Sequence, residues 1–315
     1  MKLARDVEGM QRLRDGRRVA LTIGAFDGIH LGHQALLDAL KSAAREQGLL
    51  SVVMSFEPTP KEFFSPQDAP ARLTNFRERF ELLRATGIDV FFCPRFDTAM
   101  ASISVERFIH ELLVDGLGVK HLIIGDDFRF GHRAAGTVDD LKKAATPSDF
   151  LVERIDSVVD TGDRVSSTRI RRLLADGSLQ STATLLGRPF SLSGRVIHGQ
   201  KLGRTLGYPT ANIALGRRTS PVSGIFAVRV DGIDEATYDG VASIGTRPTV
   251  DGQGVLLEVF VFDYSGDLYG RRLSVTLVSK LRDEVKFDDL DALTEQMNQD
   301  AEDARVVLST GTLQR

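Results

Sequence analysis

Two histidines three residues apart, His30 and His33, stand in the string GAFDGIHLGH at residues 24–33, just ahead of a run with helical apolar spacing. At that separation both imidazoles can face the same way. A helix N-terminus offers unpaired N–H groups and the positive end of a dipole, which together suit phosphate. Gly24 and Gly32 permit tight turns and close approach of backbone to a ligand, and Phe26 and Asp27 fill out the string. An exposed histidine pair behind a glycine turn is the plainer alternative. No third His or Cys lies nearby, which disfavours a metal site. A second string, RVSSTR at residues 164–169, sets Arg164 beside Ser167 and Thr168 at a helix start. That makes either a second anion cradle or an ordinary cap followed by a basic, solvated face. Between them, IGDDFRFG at residues 124–131 puts acidic side chains, Asp127 among them, at the end of a strand. They could orient Mg²⁺ or ribose hydroxyls, or simply form an Asx turn.

The second half holds HGQKLGRTLGYPTAN at residues 198–212. It is neither a P-loop nor a dinucleotide fingerprint, because Gly199, Gly203 and Gly207 recur every four residues. With Lys201, such a loop could still wrap phosphates in its N–H groups. Thr210 and Asn212 alternate on one face of a strand, hard oxygen ligands suited to Mg²⁺ held jointly with phosphates. An ordinary loop running into a strand is the other reading. Further on, Glu258 falls on the opposite strand face from Val255, Leu257, Val259 and Val261. That alternation fits a solvated residue and a site residue equally well.

The elements that must position these residues alternate in the first half. Strand-like runs at residues 18–23, 50–56, 89–92, 119–124 and 150–155 are separated by helical patterns at 32–47, 75–86, 105–113 and 137–145. This predicts a Rossmann-like α/β domain, a parallel sheet with helices on both faces, with ligands beyond the carboxyl ends of the strands. A helical stretch over 167–186, broken at Gly177, closes that half, and GRP at 187–189 marks the expected boundary between domains 1–186 and 187–315. Beyond it, runs at 190–198, 225–230, 238–244, 255–263 and 272–278 with Gly, Pro, Asp and Ser between them predict a small antiparallel β-barrel. A long amphipathic helix over 288–309 is expected to pack across it. Net charge is −3, which gives no basis for a nucleic-acid partner, so any phosphate site must be local. One cysteine, Cys93, allows no internal disulfide; residues 1–18 lack the apolar core of a signal peptide, and no apolar run could span a bilayer. A cytoplasmic protein acting on small molecules is expected, its oligomeric state left open.

The string at 24–33 resembles the HxGH signature of nucleotidylyltransferases, in the form found in the flavin-specific branch, and residues 164–171 resemble that family's SSTxxR motif. Residues 198–212 closely resemble the riboflavin kinase signature, as do GVASIGTRPT at 240–249 and the run from Leu257 to Asp263 followed by DLYG at 267–270. The motifs fall in the order shown by bifunctional riboflavin kinase and FMN adenylyltransferase enzymes, and nearly the whole chain is covered. The resemblance implies ATP-dependent phosphorylation of riboflavin to FMN, then adenylylation of FMN to FAD, with Mg²⁺ at both sites. It implies that His30 and His33 contact ATP phosphates, with Gly24, Phe26, Asp27, Gly32, Asp127, Arg164, Ser167, Thr168 and Arg171 around the same nucleotide. Phe56, Phe64 and Phe130 are candidates for stacking on the isoalloxazine, though each could equally be core. In the second half it implies ATP contacts from Gly199, Lys201, Gly203, Gly207, Thr210 and Asn212, Mg²⁺ at the last two, and Glu258 as base on the ribityl hydroxyl. A different nucleotidylyltransferase, or a flavin-binding regulator without turnover, are the rival readings. The residues at 198–212 oppose the first, and the intact His30, His33, Thr210, Asn212 and Glu258 oppose the second.

Overall fold

The computed structural model describes residues 1–198, 208–216, 219–249 and 252–310. Two compact units are present, residues 1–70 with 76–166, and residues 71–75 with 167–315.

The first unit begins with β1 (Lys2–Ala4) and α1 (Val7–Arg14), followed by β2 (Val19–Ile23), α2 (Leu31–Gln47) and β3 (Leu50–Met54). Then come α3 (Pro60–Phe64), α4 (Phe76–Ala85), β4 (Val90–Phe92), α5 (Thr98–Ala101) and α6 (Val105–Arg107). After α6 the chain widens into a π-helix over Phe108–Gly116, where the helical pattern had predicted a continuous α-helix. β5 (Val119–Gly125), α7 (Val138–Ala145), β6 (Leu151–Ile155) and a short ribbon of β7 (Val159–Asp160) and β8 (Asp163–Arg164) complete it. The sheet order is β1-β4-β3-β2-β5-β6, every pairing parallel.

Every residue of β2 and β3 is buried, as strands covered on both faces require. Successive residues feed opposite layers. Leu21, Val52, Phe92 and Leu122 pack with Leu112 and Leu113 of the π-helix. Their neighbours Ala20, Val53, Phe91 and Ile123 pack with Leu37 and Leu40 of α2. Because β2 has β3 on one side and β5 on the other, the loops leaving β2 and β5 flank the point where strand order reverses. In open α/β sheets that crevice is where ligands bind.

The second unit opens with α8 (Ser167–Ala175) and α9 (Leu179–Leu186). The break falls at Gly177, as its type suggests: φ is +74°, and a Cβ there would stand 2.7 Å from Lys280 Cδ. That close approach explains why these helices group with the second unit, although the sequence reading placed them with the first. β9 (Ser191–Ile197), β10 (Ala211–Ala214), β11 (Gly224–Asp231), β12 (Tyr238–Thr249), β13 (Gly252–Val261) and β14 (Arg272–Arg282) close into a barrel in the order β10-β13-β12-β11-β14-β9. All its pairings are antiparallel, and β9 returns to β10. The final helix, α10 (Leu290–Thr310), lays Ala301, Ala304 and Leu308 against Ala227 and Phe262. A bidentate ion pair between Arg282 and the buried Asp300, both bonds 2.7 Å, fixes it to the end of β14.

Candidate active sites

The histidine pair is assembled by the first turn of α2. His30 is its N-cap, and Nδ1 accepts the backbone N–H of His33 at 3.3 Å. That bond leaves Nδ1 without a proton and puts the ring proton of neutral His30 on Nε2. The imidazoles stack with centroids 3.8 Å apart and planes inclined by 16°. Gly32 makes this possible, because a Cβ there would lie 3.2 Å from the His30 ring. His33 is held well below the ordinary histidine pKa, first by burial and then by His30 and Arg164. It is therefore neutral at pH 7. Phe26 is fully buried and packs 5.0 Å beneath His33, so its side chain supports the ring. Asp27 is buried as well.

The Asp-Asp end of β5 is drawn together by Arg164, whose Nη2 lies 3.0 Å from Asp127 and 3.5 Å from Asp126. Ser157 Oγ donates to Asp126 at 2.8 Å, and its hydroxyl, aided by Arg164, lowers that carboxyl's pKa. Ser167 and Thr168 open α8. Arg171 sits on the same helix and donates from Nε to the Ala71 carbonyl at 2.5 Å.

Phe56, Phe64 and Phe130 all line one cavity of about 730 Å³ in the first unit, together with Phe96, Phe108 and Phe128. Their surroundings differ. Phe130 is 5% exposed and stacks on Phe128, centroids 5.7 Å apart and planes 15° apart, whereas Phe64 is 62% exposed and meets Phe96 edge to face. Sequence reasoning missed Phe96, Phe108 and Phe128. For Phe128 a signal existed, since it stands two residues before Phe130.

In the barrel, strand register builds the second constellation. Asn212 of β10 lies directly opposite Glu258 of β13, and Glu258 lies opposite Ser243 of β12. Directly opposed residues share a sheet face, so the three form one row across three strands. Asn212 is 7% exposed, and its Nδ2 points to the Thr210 carbonyl at 3.5 Å. Glu258 is half-buried, and Ser243 Oγ donates to Glu284 at 3.2 Å. Gly199, Lys201, Gly203 and Gly207 lie outside the described residues. Among the described residues no group of three or more His, Cys, Asp or Glu could hold a metal ion, and no helix is long and apolar enough to cross a membrane.

Fold and site geometry define a parallel α/β unit, with a histidine pair at a helix N-terminus, on the same chain as a closed antiparallel barrel. Residues 13–169 match the FAD synthetase family model and residues 186–308 the riboflavin kinase model. The chain belongs to the family of bifunctional riboflavin kinase/FMN adenylyltransferases: it is 46% identical over 306 residues to the Escherichia coli K12 enzyme of that name, covering 97% of each chain. The Pseudomonas fluorescens enzyme is 47% identical over 303 residues, covering 96% of this chain and 97% of the relative. The fold is also similar to a crystal structure of a macrolide-efflux protein from Streptococcus pneumoniae, with a TM-score of 0.77, 34% identity, and 93% and 96% of the two chains covered. The two matched regions are those of FAD synthesis and riboflavin phosphorylation, so the chain is an enzyme carrying both reactions of flavin cofactor assembly.

Proposed function

We propose that His30 and His33 serve adenylyl transfer to FMN, and that Asn212, Thr210 and Glu258 serve phosphoryl transfer to riboflavin. The observation that carries the first assignment is the stacked histidine pair at the N-terminus of α2, where N–H groups, helix dipole and the His30 Nε2–H converge on one place for phosphate. In adenylyl transfer an oxygen of the FMN phosphate bonds to the α-phosphorus of ATP, and the bond to the departing pyrophosphate breaks. The nucleophile is already anionic, so no strong base is needed; the site must hold two polyanions in line and neutralise developing charge. Neutral His33 and the Nε2–H of His30 donate hydrogen bonds there, with Arg164 as a further phosphate contact. The cavity walled by Phe56, Phe64 and Phe130 takes the flavin.

Phosphoryl transfer to riboflavin differs, because the nucleophile is an alcohol and a proton must leave as the oxygen bonds to the γ-phosphorus. Glu258 accepts that proton. Its position opposite Asn212 puts a carboxylate beside an amide whose N–H end is turned to the Thr210 carbonyl, leaving Oδ1 as the ligand end. Thr210 and Asn212 thus suit a hard cation such as Mg²⁺ shared with ATP, which when bound neutralises phosphate charge. Gly199, Lys201, Gly203 and Gly207 would wrap the phosphates. We place the adenylyltransferase within residues 1–186, the kinase within 187–315, and the protein in the cytoplasm, which the buried free thiol of Cys93 suits. Feeding riboflavin, ATP and Mg²⁺ to the His33→Ala chain tests the division. FMN should accumulate without FAD; equal loss of both products from folded protein would remove the histidines from their role.

A further inference from the structure

Ala25, in the loop between β2 and α2, has an exposed side chain, but its carbonyl turns inward. That oxygen accepts two hydrogen bonds, from Arg79 Nη1 at 2.9 Å and from Ser55 Oγ at 3.3 Å. Arg79 belongs to α4 and is 2% exposed. Its Nη1 also reaches Ser55 Oγ at 3.2 Å, and Nη2 pairs with Glu57 at 2.9 Å. Phe76 and Phe91 lie beside the guanidinium, 5.9 and 5.7 Å from it.

A buried cation of this kind is costly to retain for stability alone, since an apolar side chain of similar volume often serves as well. What it holds is a strained segment. Phe26 and Ile29 both have left-handed backbones, φ +48° and +44°, in residue types that disfavour it. Such conformations persist only where surrounding contacts over-determine them. The contacts bracket the segment: Arg79 and Ser55 grip the carbonyl of Ala25, and Gln34 Nε2 donates to the carbonyl of Ile29 at 2.9 Å. His30 follows immediately.

We infer that Arg79 is a positioning residue for adenylyl transfer, acting through the carbonyl of Ala25 to hold the strained 26–29 loop and thereby the His30 ring. The inference rests on the role given above to His30. Removing the Arg79 donor leaves only the longer Ser55 bond on that carbonyl and lets the loop relax, and a displacement of about 1 Å at a reacting group costs on the order of a hundredfold in rate.

The test measures FAD formation from FMN on the full chain, with FMN formation from riboflavin as an internal control on the same molecules. Arg79→Met should lower kcat for FAD formation about tenfold to a hundredfold, with KM for FMN moving less than about threefold. Arg79→Lys, which keeps one charged donor, should recover most of the loss. Gln34→Leu buries no charge and should fold whatever Arg79→Met does; it should lower the same kcat, and the double variant should lose less than the product of the two effects. In a His30→Ala background Arg79→Met should cost little more. A kcat within about threefold of the parent for both Arg79→Met and Gln34→Leu would overturn the inference. So would a loss that tracks the unfolded fraction and is no milder in Arg79→Lys. If His30→Ala itself leaves FAD formation intact, the role of His30 fails, and this inference with it; if His30→Ala abolishes it while both other variants are silent, only the positioning role fails.

Discussion

The histidine site and the barrel site hold their groups by opposite means. His30 and His33 are three residues apart, and the bond that orients them, His33 N–H to His30 Nδ1, is local to one helical turn. Asn212 and Glu258 are separated in the chain by the whole of β11 and β12 and meet only because β10 pairs with β13 in one register. A local site is disturbed by its own turn and loop, whereas a register site depends on strands staying aligned. Shifting β13 by one residue would turn Glu258 to the opposite face and put Leu257 or Val259 in its place.

That contrast sets the expected effects of substitution. The largest belongs to the barrel: Glu258→Gln keeps shape but removes the base, and kcat for FMN formation should fall by about 10²–10⁴. FAD formation from supplied FMN should be unchanged. A variant keeping more than about half its kinase activity would dismiss Glu258 as base and direct attention to Glu284, which lies against Ser243. Next comes His30→Ala, expected to lower FAD formation by about 10²–10³ while FMN formation continues at the parental rate. Parallel decline of the two products would show that the local site and the register site are not independent.

A smaller effect should follow from the flavin cavity. Phe128→Ala removes the ring stacked on Phe130 and should weaken FMN binding by about 1–3 kcal/mol, read by fluorescence quenching. Unchanged affinity would place the isoalloxazine elsewhere. The smallest concerns pH. His33 is neutral in the folded state, its pKa below the unfolded value of about 6.5. Its depressed pKa therefore contributes stability that is present above pH 6.5 and is lost as pH falls toward the folded value, because the unfolded chain binds the extra proton. The melting temperature of the parent should thus fall more between pH 7.5 and 5.5 than that of His33→Gln. Equal slopes would mean that His33 is not held neutral by its surroundings. A truncation sharpens the comparison further: since Gly177 packs on Lys280 of β14, a fragment of residues 167–315 should melt higher than one of 187–315. Identical melting would assign α8 and α9 no part in the barrel's stability.

Most of the first site was legible because its signals are short-range. Helix-start chemistry, glycines at tight positions and the three-residue histidine spacing all lie within residues 24–33. The alternation of strand-like and helix-like runs likewise gave the parallel sheet, and the helical pattern that starts at residue 137 opens on a full capping box between Thr137 and Asp140. Less legible were β1 and α1, since a three-residue edge strand leaves almost no periodicity to detect. The π-helix at Phe108–Gly116 was also hidden, because its apolar residues fit an α-helical stripe as well.

By itself, the sequence determined which residues could carry the chemistry and the class of fold that would present them, because residue type and local spacing are read directly from the chain. Only the tertiary structure decided whether Glu258 lies alone or in a row with Asn212 and Ser243, that three scattered phenylalanines share one cavity, and that a buried arginine from α4 grips the loop before His30. Those outcomes depend on strand register and on side chains meeting from distant elements. Periodicity along the chain specifies a face, and packing alone specifies which residue stands opposite.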